Sequence, residues 1–289
     1  MKRRTSGKLC SLLLAALLLG AVFVPTLSLP TYAATGAYSP SGYPTVTLTA
    51  RGATLPVKGL LIRDIVYIPL QPFLHLFTPC TQSYESGVYT IRASGLLVSA
   101  AAGSTYIKAN NRYLWQQSGT RVMDGTLYVP IRMAAKVAGL TVSWSTGART
   151  AAFQGTYRPL LDGNAYYDGT SVYWLSRIIS AEAMGEPLLG QIAVGSVVLN
   201  RVRSPQYPNS IYGVIFDTKY GVQFTPISNG TIYHDPAASA VIAAKICLEG
   251  HTVSNDVLFF LNPRKVPGTS WIARSRPYAF TIGGHDFYY

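Results

Sequence analysis

The sequence predicts an α+β protein: a small α+β domain of two strand–helix–strand units, followed by a second domain built mostly from helices. Three observations carry this. Between Val46 and Phe153, short apolar runs alternate with Gly and polar turns, a strand pattern. Within that stretch Val66-Tyr67-Ile68-Pro69-Leu70 recurs as Leu127-Tyr128-Val129-Pro130-Ile131. From Ser171 onward the apolar spacing changes to the 3.6-residue period of helices.

Each copy of the repeat leads into a short helical stretch, residues 72–77 and 133–138. The second unit then closes with Gly139-Leu140-Thr141-Val142-Ser143-Trp144, a helix stop and a strand. A unit that cannot bury its own face gains a core by packing on its twin. Residues 45–154 are therefore one domain. Residues 34–44 form a lead-in, and residues 155–170, rich in Gly, Asp, Asn and Tyr, a linker. In the remaining domain, residues 171–289, the spacing predicts a helix over 172–183. A second runs over 187–202, opened by Pro187 in the first turn, with Ala193, Gly195 and Ser196 allowing close helix contact. A third has Asp235 as N-cap, Pro236 at N1 and Gly250 just past its end. The rest reads as an aromatic, polar loop between the second and third helices and as short strands after Gly250.

The chain opens on Met1-Lys2-Arg3-Arg4, followed by an apolar run to Val24, Pro25, and Thr31-Tyr32-Ala33. Basic, apolar and small-residue regions in that order are the pattern of a secretory signal peptide, residues 1–33. The run before Pro25 is short of the roughly 20 apolar residues a membrane span needs. An exported protein with no stable membrane insertion after cleavage is the expectation. The whole chain carries +12. Removing the four basic residues of the leader leaves 20 Lys/Arg against 12 acids, about +8. For an exported chain without a dense Lys/Arg run, this charge points to an anionic cell wall rather than to nucleic acid. Cys80 and Cys247 make neither a disulfide framework nor a metal motif. The sequence leaves open whether they pair.

Glutamate is scarce outside the leader: Glu85, Glu182, Glu186 and Glu249. Glu249 precedes a helix-stop glycine and is expected in solvent, and Glu85 falls in a polar turn. Glu182 shares a helix face with Val172, Leu175 and Ile179 and is flanked by Ala181 and Ala183. An acid on an apolar face is paired, neutral or functional. Burial raises a carboxyl pKa, which suits a general acid near neutral pH. The same position also fits a structural Glu bonded to a buried Arg or Tyr. Glu186, beside the start of the next helix, is favoured there by the helix dipole. Tyr207, Tyr212, Phe216, Tyr220, Phe224 and Tyr233 alternate with Gly, Asn, Gln and Ser. Flat rings of this kind stack on sugar faces or anchor a loop. Arg264, Lys265, Arg274 and Arg276 are available to carboxylates.

Two resemblances sharpen this. The "YIPL" and "YVPI" segments with Ala138-Gly139-Leu140-Thr141-Val142-Ser143-Trp144 resemble the copper amine oxidase N-terminal-like domain. His75 is its one histidine, so a spacer or wall-binding module without a copper site is expected. The second half resembles the SleB-type cell wall hydrolases, the spore cortex-lytic enzyme family. The matching residues are Ile178-Ile179-Ser180-Ala181-Glu182-Ala183-Met184-Gly185-Glu186-Pro187, Gly190-Gln191-Ile192-Ala193-Val194 and Val197-Val198-Leu199-Asn200-Arg201-Val202. Pro208-Asn209-Ser210-Ile211, Gln223-Phe224, Asn262-Pro263, Ser275-Arg276-Pro277 and Ile282-Gly283-Gly284-His285-Asp286-Phe287 follow in order.

This resemblance implies a lysozyme-like catalytic domain and lytic transglycosylase chemistry on peptidoglycan glycan strands, in spore cortex or cell wall. It implies Glu182 as catalytic acid. Glu186, Gln223, Phe224, Phe260, Asn262 and Arg276 would hold substrate, with no cofactor. One departure stands out. Where the family carries a tyrosine before Asn-Pro, this chain has Phe259-Phe260-Leu261, so a hydroxyl is lost. Two rivals are a zinc amidase, for which His234, His251 and His285 are widely spaced and lack HExxH, and a non-catalytic wall-binding protein. No regulatory partner can be read from the residues.

Overall fold

The computed structural model describes residues 42–219, 224–266 and 270–289. The expected leader and Gln223 lie outside them. In chain order, the first half comprises β1 (Thr45–Ala50), β2 (Ala53–Ile62), β3 (Ile65–Pro69), α1 (Leu70–His75), β4 (Cys80–Glu85), β5 (Val88–Ala93), β6 (Leu96–Ala101), β7 (Tyr106–Ala109), β8 (Arg112–Trp115), β9 (Arg121–Met123), β10 (Thr126–Pro130), α2 (Ile131–Val137), β11 (Thr141–Ser145) and β12 (Thr150–Gln154). One sheet has seven strands in the order β11-β12-β1-β2-β3-β10-β9, the other five in the order β4 to β8. The α+β class holds, and this half is strand-rich.

The sequence repeat becomes an antiparallel pair. β3 and β10 lie side by side with Ile68 opposite Val129, Pro69 opposite Tyr128 and Tyr67 opposite Pro130. Tyr67 and Tyr128 are buried with Leu60 and Ile62. Both helices begin directly after the proline, two residues earlier than expected. The proline ring fixes φ near the helical value, so the turn starts at the next residue. The likeness of the two units ends there: β11 stays in the seven-stranded sheet, whereas β4 opens the five-stranded one. Leu48, Ile68, Phe73, Leu74, Ile91, Leu114, Val129, Val137 and Phe153 fill the core between them.

The second half comprises α3 (Gly163–Tyr166), α4 (Gly169–Ala183), α5 (Leu188–Arg203), α6 (Ile211–Ile215), α7 (Thr225–Ser228), a 3-10 turn (Thr231–Tyr233), α8 (Ala238–Leu248), β13 (Phe259–Leu261), α9 (Trp271–Ser275), β14 (Tyr278–Ile282) and β15 (His285–Tyr288). Its sheet has the order β13-β15-β14. α4, α5 and α8 bury Leu175, Ile178, Ile179, Val194, Val198, Ala243 and Ile246 against one another. Each Val, Leu or Ile among them contributes about 1.5–3 kcal/mol on burial. Gly195 sets their spacing: a Cβ there would stand 2.8 Å from both Cys247 Sγ and Ile179 Cδ1. Among the described residues, no helix is long and apolar enough to cross a membrane.

Three expectations change. α8 starts at Ala238 rather than after Asp235. Asp235 points outward, 2.9 Å from Arg177, and cannot cap. The Ala237 N–H donates to the Ser180 hydroxyl instead (3.0 Å). The helix does stop at Gly250, at φ +93°. The stretch expected as a linker is packed: Tyr157 and Leu160 lie against the first core, and Tyr167 is buried. Glu249, expected in solvent, is buried and bound by Arg112 from β8. Cys80 and Cys247 are free and buried, one in each core.

Candidate active site

α4 places the acid. Asp168 caps its start, its carboxylate accepting from the Ser171 N–H at 2.7 Å. The helix then turns Leu175, Ile178, Ile179 and Ala183 into the core. Glu182, near its last turn, falls at the edge of that face, half-buried, and lines a cavity of about 1300 Å³. Among the described residues its carboxyl makes no hydrogen bond or salt bridge, so it is not a structural Glu held by an Arg or Tyr. Burial pushes its pKa up to about 7, and the cations Lys265 and Arg201 pull it back only in part. Such a group is largely protonated at mildly acid pH and ionises near neutrality.

Phe224, Phe260, Asn262 and Arg276 also line this cavity. β13 carries Phe260, whose neighbours Phe259 and Leu261 are more buried. The Phe260 ring meets His285 edge-on at 5.5 Å and lies 6.4 Å from the Phe224 ring. Asn262 Oδ1 accepts from the Arg264 N–H (3.0 Å), fixing the turn after β13. The Arg276 guanidinium lies over Phe259 (4.4 Å) and Trp271 (4.9 Å), and its Nε has no partner. A buried N–H without a partner costs free energy unless water or a ligand takes it up.

Glu186 does not join these residues. It leaves the cavity lining and secures the β14–β15 turn: Oε2 accepts from the Gly284 N–H at 2.7 Å, and Oε1 lies 3.5 Å from His285 Nδ1. The break at Gly185 and Pro187 rotates it off the Glu182 face. In this structure its carboxylate is engaged by that turn, beside His285. Of the aromatic loop, Tyr207 lines the cavity. Tyr212, Phe216 and Tyr233 gather around Trp174 instead.

Arg201 and His285 were not singled out as site residues, although both lie in the quoted family segments. Arg201 is 4% exposed. Its Nε donates to the Leu258 carbonyl (2.8 Å), while Nη1 has no partner. The guanidinium lies 5.1 Å from the Tyr207 ring and 5.2 Å from that of Phe224. Asn200 beside it donates to the Ser254 and Val257 carbonyls, holding the approach to β13. Burial lowers the His285 pKa, partly offset by Glu186. No signal in α5 separates a cavity arginine from an ordinary surface one, since the groups that enclose it, Tyr207, Phe224 and the Leu258–Phe259 segment, all come from outside the helix. Among the described residues, no three His, Cys, Asp or Glu stand grouped as metal ligands do.

A half-buried acid without a partner, facing a cavity lined with aromatic rings and unpartnered N–H donors, is the arrangement of a general-acid site. Residues 185–288 match the family model for cell wall hydrolases, and residues 48–153 match that for the copper amine oxidase N-terminal domain. The second half of the chain thus carries a cell wall hydrolase domain. Spore cortex-lytic enzymes from Halalkalibacterium halodurans and Bacillus subtilis are each 36% identical to it, over 123 and 121 residues. These matches cover 43% and 42% of this chain and 36% and 38% of the relatives. The solved catalytic domain of the germination-specific lytic transglycosylase SleB from Bacillus anthracis is 33% identical. That match covers 45% of this chain and 100% of that one, with a TM-score of 0.39. The chain spans less than half the length of the curated relatives it matches.

Proposed function

We propose that the protein is an exported peptidoglycan-lytic enzyme that cleaves the bond between N-acetylmuramic acid and N-acetylglucosamine as a lytic transglycosylase, in spore cortex or cell wall. The observation that carries this is Glu182, unpaired in the cavity with a pKa pushed up to about 7. The relatives' names support the choice of substrate. In this reading residues 1–33 are a cleaved signal, and the second half, residues 171–289, is a helical, lysozyme-like catalytic frame.

Glu182 holds its proton as substrate enters and passes it to the glycosidic oxygen, which leaves as the N-acetylglucosamine hydroxyl. Positive charge develops at the muramic anomeric carbon. Glu182, now a carboxylate, takes the proton of the muramic C6 hydroxyl. That oxygen bonds to the anomeric carbon and closes a 1,6-anhydro ring. Glu182 is protonated again, and no water is consumed. Most glycosidases use two carboxylates; one suffices where the substrate brings its own nucleophile. Phe224 and Phe260 offer apolar surface to the sugars. Asn262 and the free N–H groups of Arg201 and Arg276 offer hydrogen bonds, and Gln223 is proposed to add another.

Mass spectrometry of products from cortex and vegetative sacculi tests this. Anhydromuropeptides are the expected result. Reducing muropeptides would replace the transglycosylase outcome with hydrolysis, and free stem peptides would replace the whole reading with an amidase. Binding without products would leave only a wall-binding protein.

A further inference from the structure

Charge is divided unevenly along the chain. Residues 45–154 carry ten Lys/Arg against three acids, whereas residues 155–289 carry ten against nine. The first half therefore holds about +7 of the +8 remaining after the leader, although the candidate active site lies in the second. The same half contains a groove of about 480 Å³ between the β2–β3 turn, the start of α2 and the β11–β12 hairpin. Its apolar floor includes Ile65, Val66 and Val142. Trp144, on the edge strand β11, stands 42% exposed at the groove. Arg132 and Arg149 also line it, both exposed and, among the described residues, neither in an ion pair. Asp64 is the one carboxylate in the lining.

An exposed indole on an apolar floor offers a stacking face for a sugar ring. Guanidinium groups are weakly hydrated and fork-shaped, which suits phosphate and carboxylate oxygens. We propose that this groove binds an anionic, sugar-bearing wall polymer: Trp144 stacks on a sugar while Arg132 and Arg149 hold phosphodiester or carboxylate groups. The first half is then a tether, and the Arg112–Glu249 ion pair links it to the half that carries Glu182. Naming a wall polymer rests on the proposed function; the groove's sugar and anion chemistry does not.

The test uses the full chain with Glu182→Gln, so that no probe is cleaved. Binding is measured over a range of salt to a glucosylated glycerol-phosphate polymer, to polygalacturonate and to inorganic polyphosphate. The tighter of the first two identifies the anion. Arg132→Gln/Arg149→Gln should weaken the preferred sugar polymer about tenfold and flatten its salt dependence. Trp144→Ala should weaken that polymer and leave polyphosphate unchanged. Arg51→Gln/Arg92→Gln removes equal charge elsewhere in the same half and should cost less than about threefold. Equal loss in that control pair overturns the groove in favour of diffuse charge, as does an unchanged Trp144→Ala or no binding to either sugar polymer. Cleavage of soluble glycan fragments by the same groove variants, with Glu182 intact, should stay at the unsubstituted level. A chain with the groove unsubstituted that cleaves glycan but binds neither sugar polymer sinks the groove alone. Binding retained in a chain that cleaves nothing sinks the enzyme reading alone.

Discussion

Arg112 and Glu249 form a two-pronged ion pair across the join between the halves, with Nε and Nη2 donating to the carboxylate at 2.7 and 2.8 Å. Lys136 Nζ lies 2.7 Å from the same carboxylate, and the Tyr167 hydroxyl donates to it at 2.8 Å. The Tyr166 ring covers the guanidinium at 3.4 Å. Strand β8, helix α2 and the residues before α4 thus all converge on the end of α8, which packs against the helix carrying Glu182.

Breaking this pair should be costly. The side chains of Arg112 and Glu249 are 7% and 0% exposed, so Glu249→Gln leaves the buried Arg112 charge uncompensated, at about 3–5 kcal/mol, whereas Arg112→Ala, which keeps Lys136 against the carboxylate, should cost less. Urea unfolding at neutral pH measures it. Burial alone would raise the Glu249 pKa, but the hydrogen bonds from Arg112, Lys136 and Tyr167 outweigh it and the net shift is downward. A lowered folded pKa gives stability that is present above the unfolded value, about 4.3, and lost as pH falls through the folded one. The unsubstituted chain should therefore lose stability on acidification below about pH 4, and Glu249→Gln should lack this component.

Gly283 tests the support for His285. It has φ +59°, and a Cβ there would run into the Glu186 carboxylate. Gly283→Ala should cost about 1–3 kcal/mol in stability. It should also lower glycan cleavage by displacing the β14–β15 turn. Thermal unfolding and initial rates on the same preparation check both; unchanged values in each would mean the turn does not depend on that contact.

Phe260 faces the cavity where the resemblance leads one to expect a tyrosine hydroxyl nearby. Phe260→Tyr should return a donor to the sugar site, worth about 1 kcal/mol, a gain of several-fold in kcat/KM on soluble fragments. A loss would show that the ring, packed on Phe224 and His285, has no room for the oxygen.

Much of this was legible in the residues. The VYIP/LYVP repeat announced the β3–β10 pair, because its buried tyrosines and terminal prolines are local features. Glu182 stood out because its helix face is apolar for three turns. Glu249 did not. It sits one residue before a helix-stop glycine, a position usually in water, and partners distant in sequence, Arg112, Lys136 and Tyr167, enclose it. Asp235 had every local mark of an N-cap and was taken instead by Arg177. Arg201 could not be told from a surface arginine, since the strand that covers it comes more than fifty residues later. The misread positions are those where a long-range partner outbids a local pattern.

Glu182 also sets a stability prediction. A carboxyl whose folded pKa is raised binds its proton more tightly in the folded chain, so stability falls as pH climbs from about 4.3 through about 7. Glu182→Gln should therefore be more stable than the unsubstituted chain by roughly 1–2 kcal/mol above pH 7, after discounting for partial exposure. Below about pH 4 the two should be alike. Denaturation at both pH values checks it.

The most direct measurement is the initial rate of muropeptide release from purified sacculi by Glu182→Gln, with its fold verified by circular dichroism. Loss of the proposed proton donor predicts a drop of about a thousandfold or more in a folded protein. A folded Glu182→Gln that works within about tenfold of the unsubstituted rate would show that the proton comes from another group.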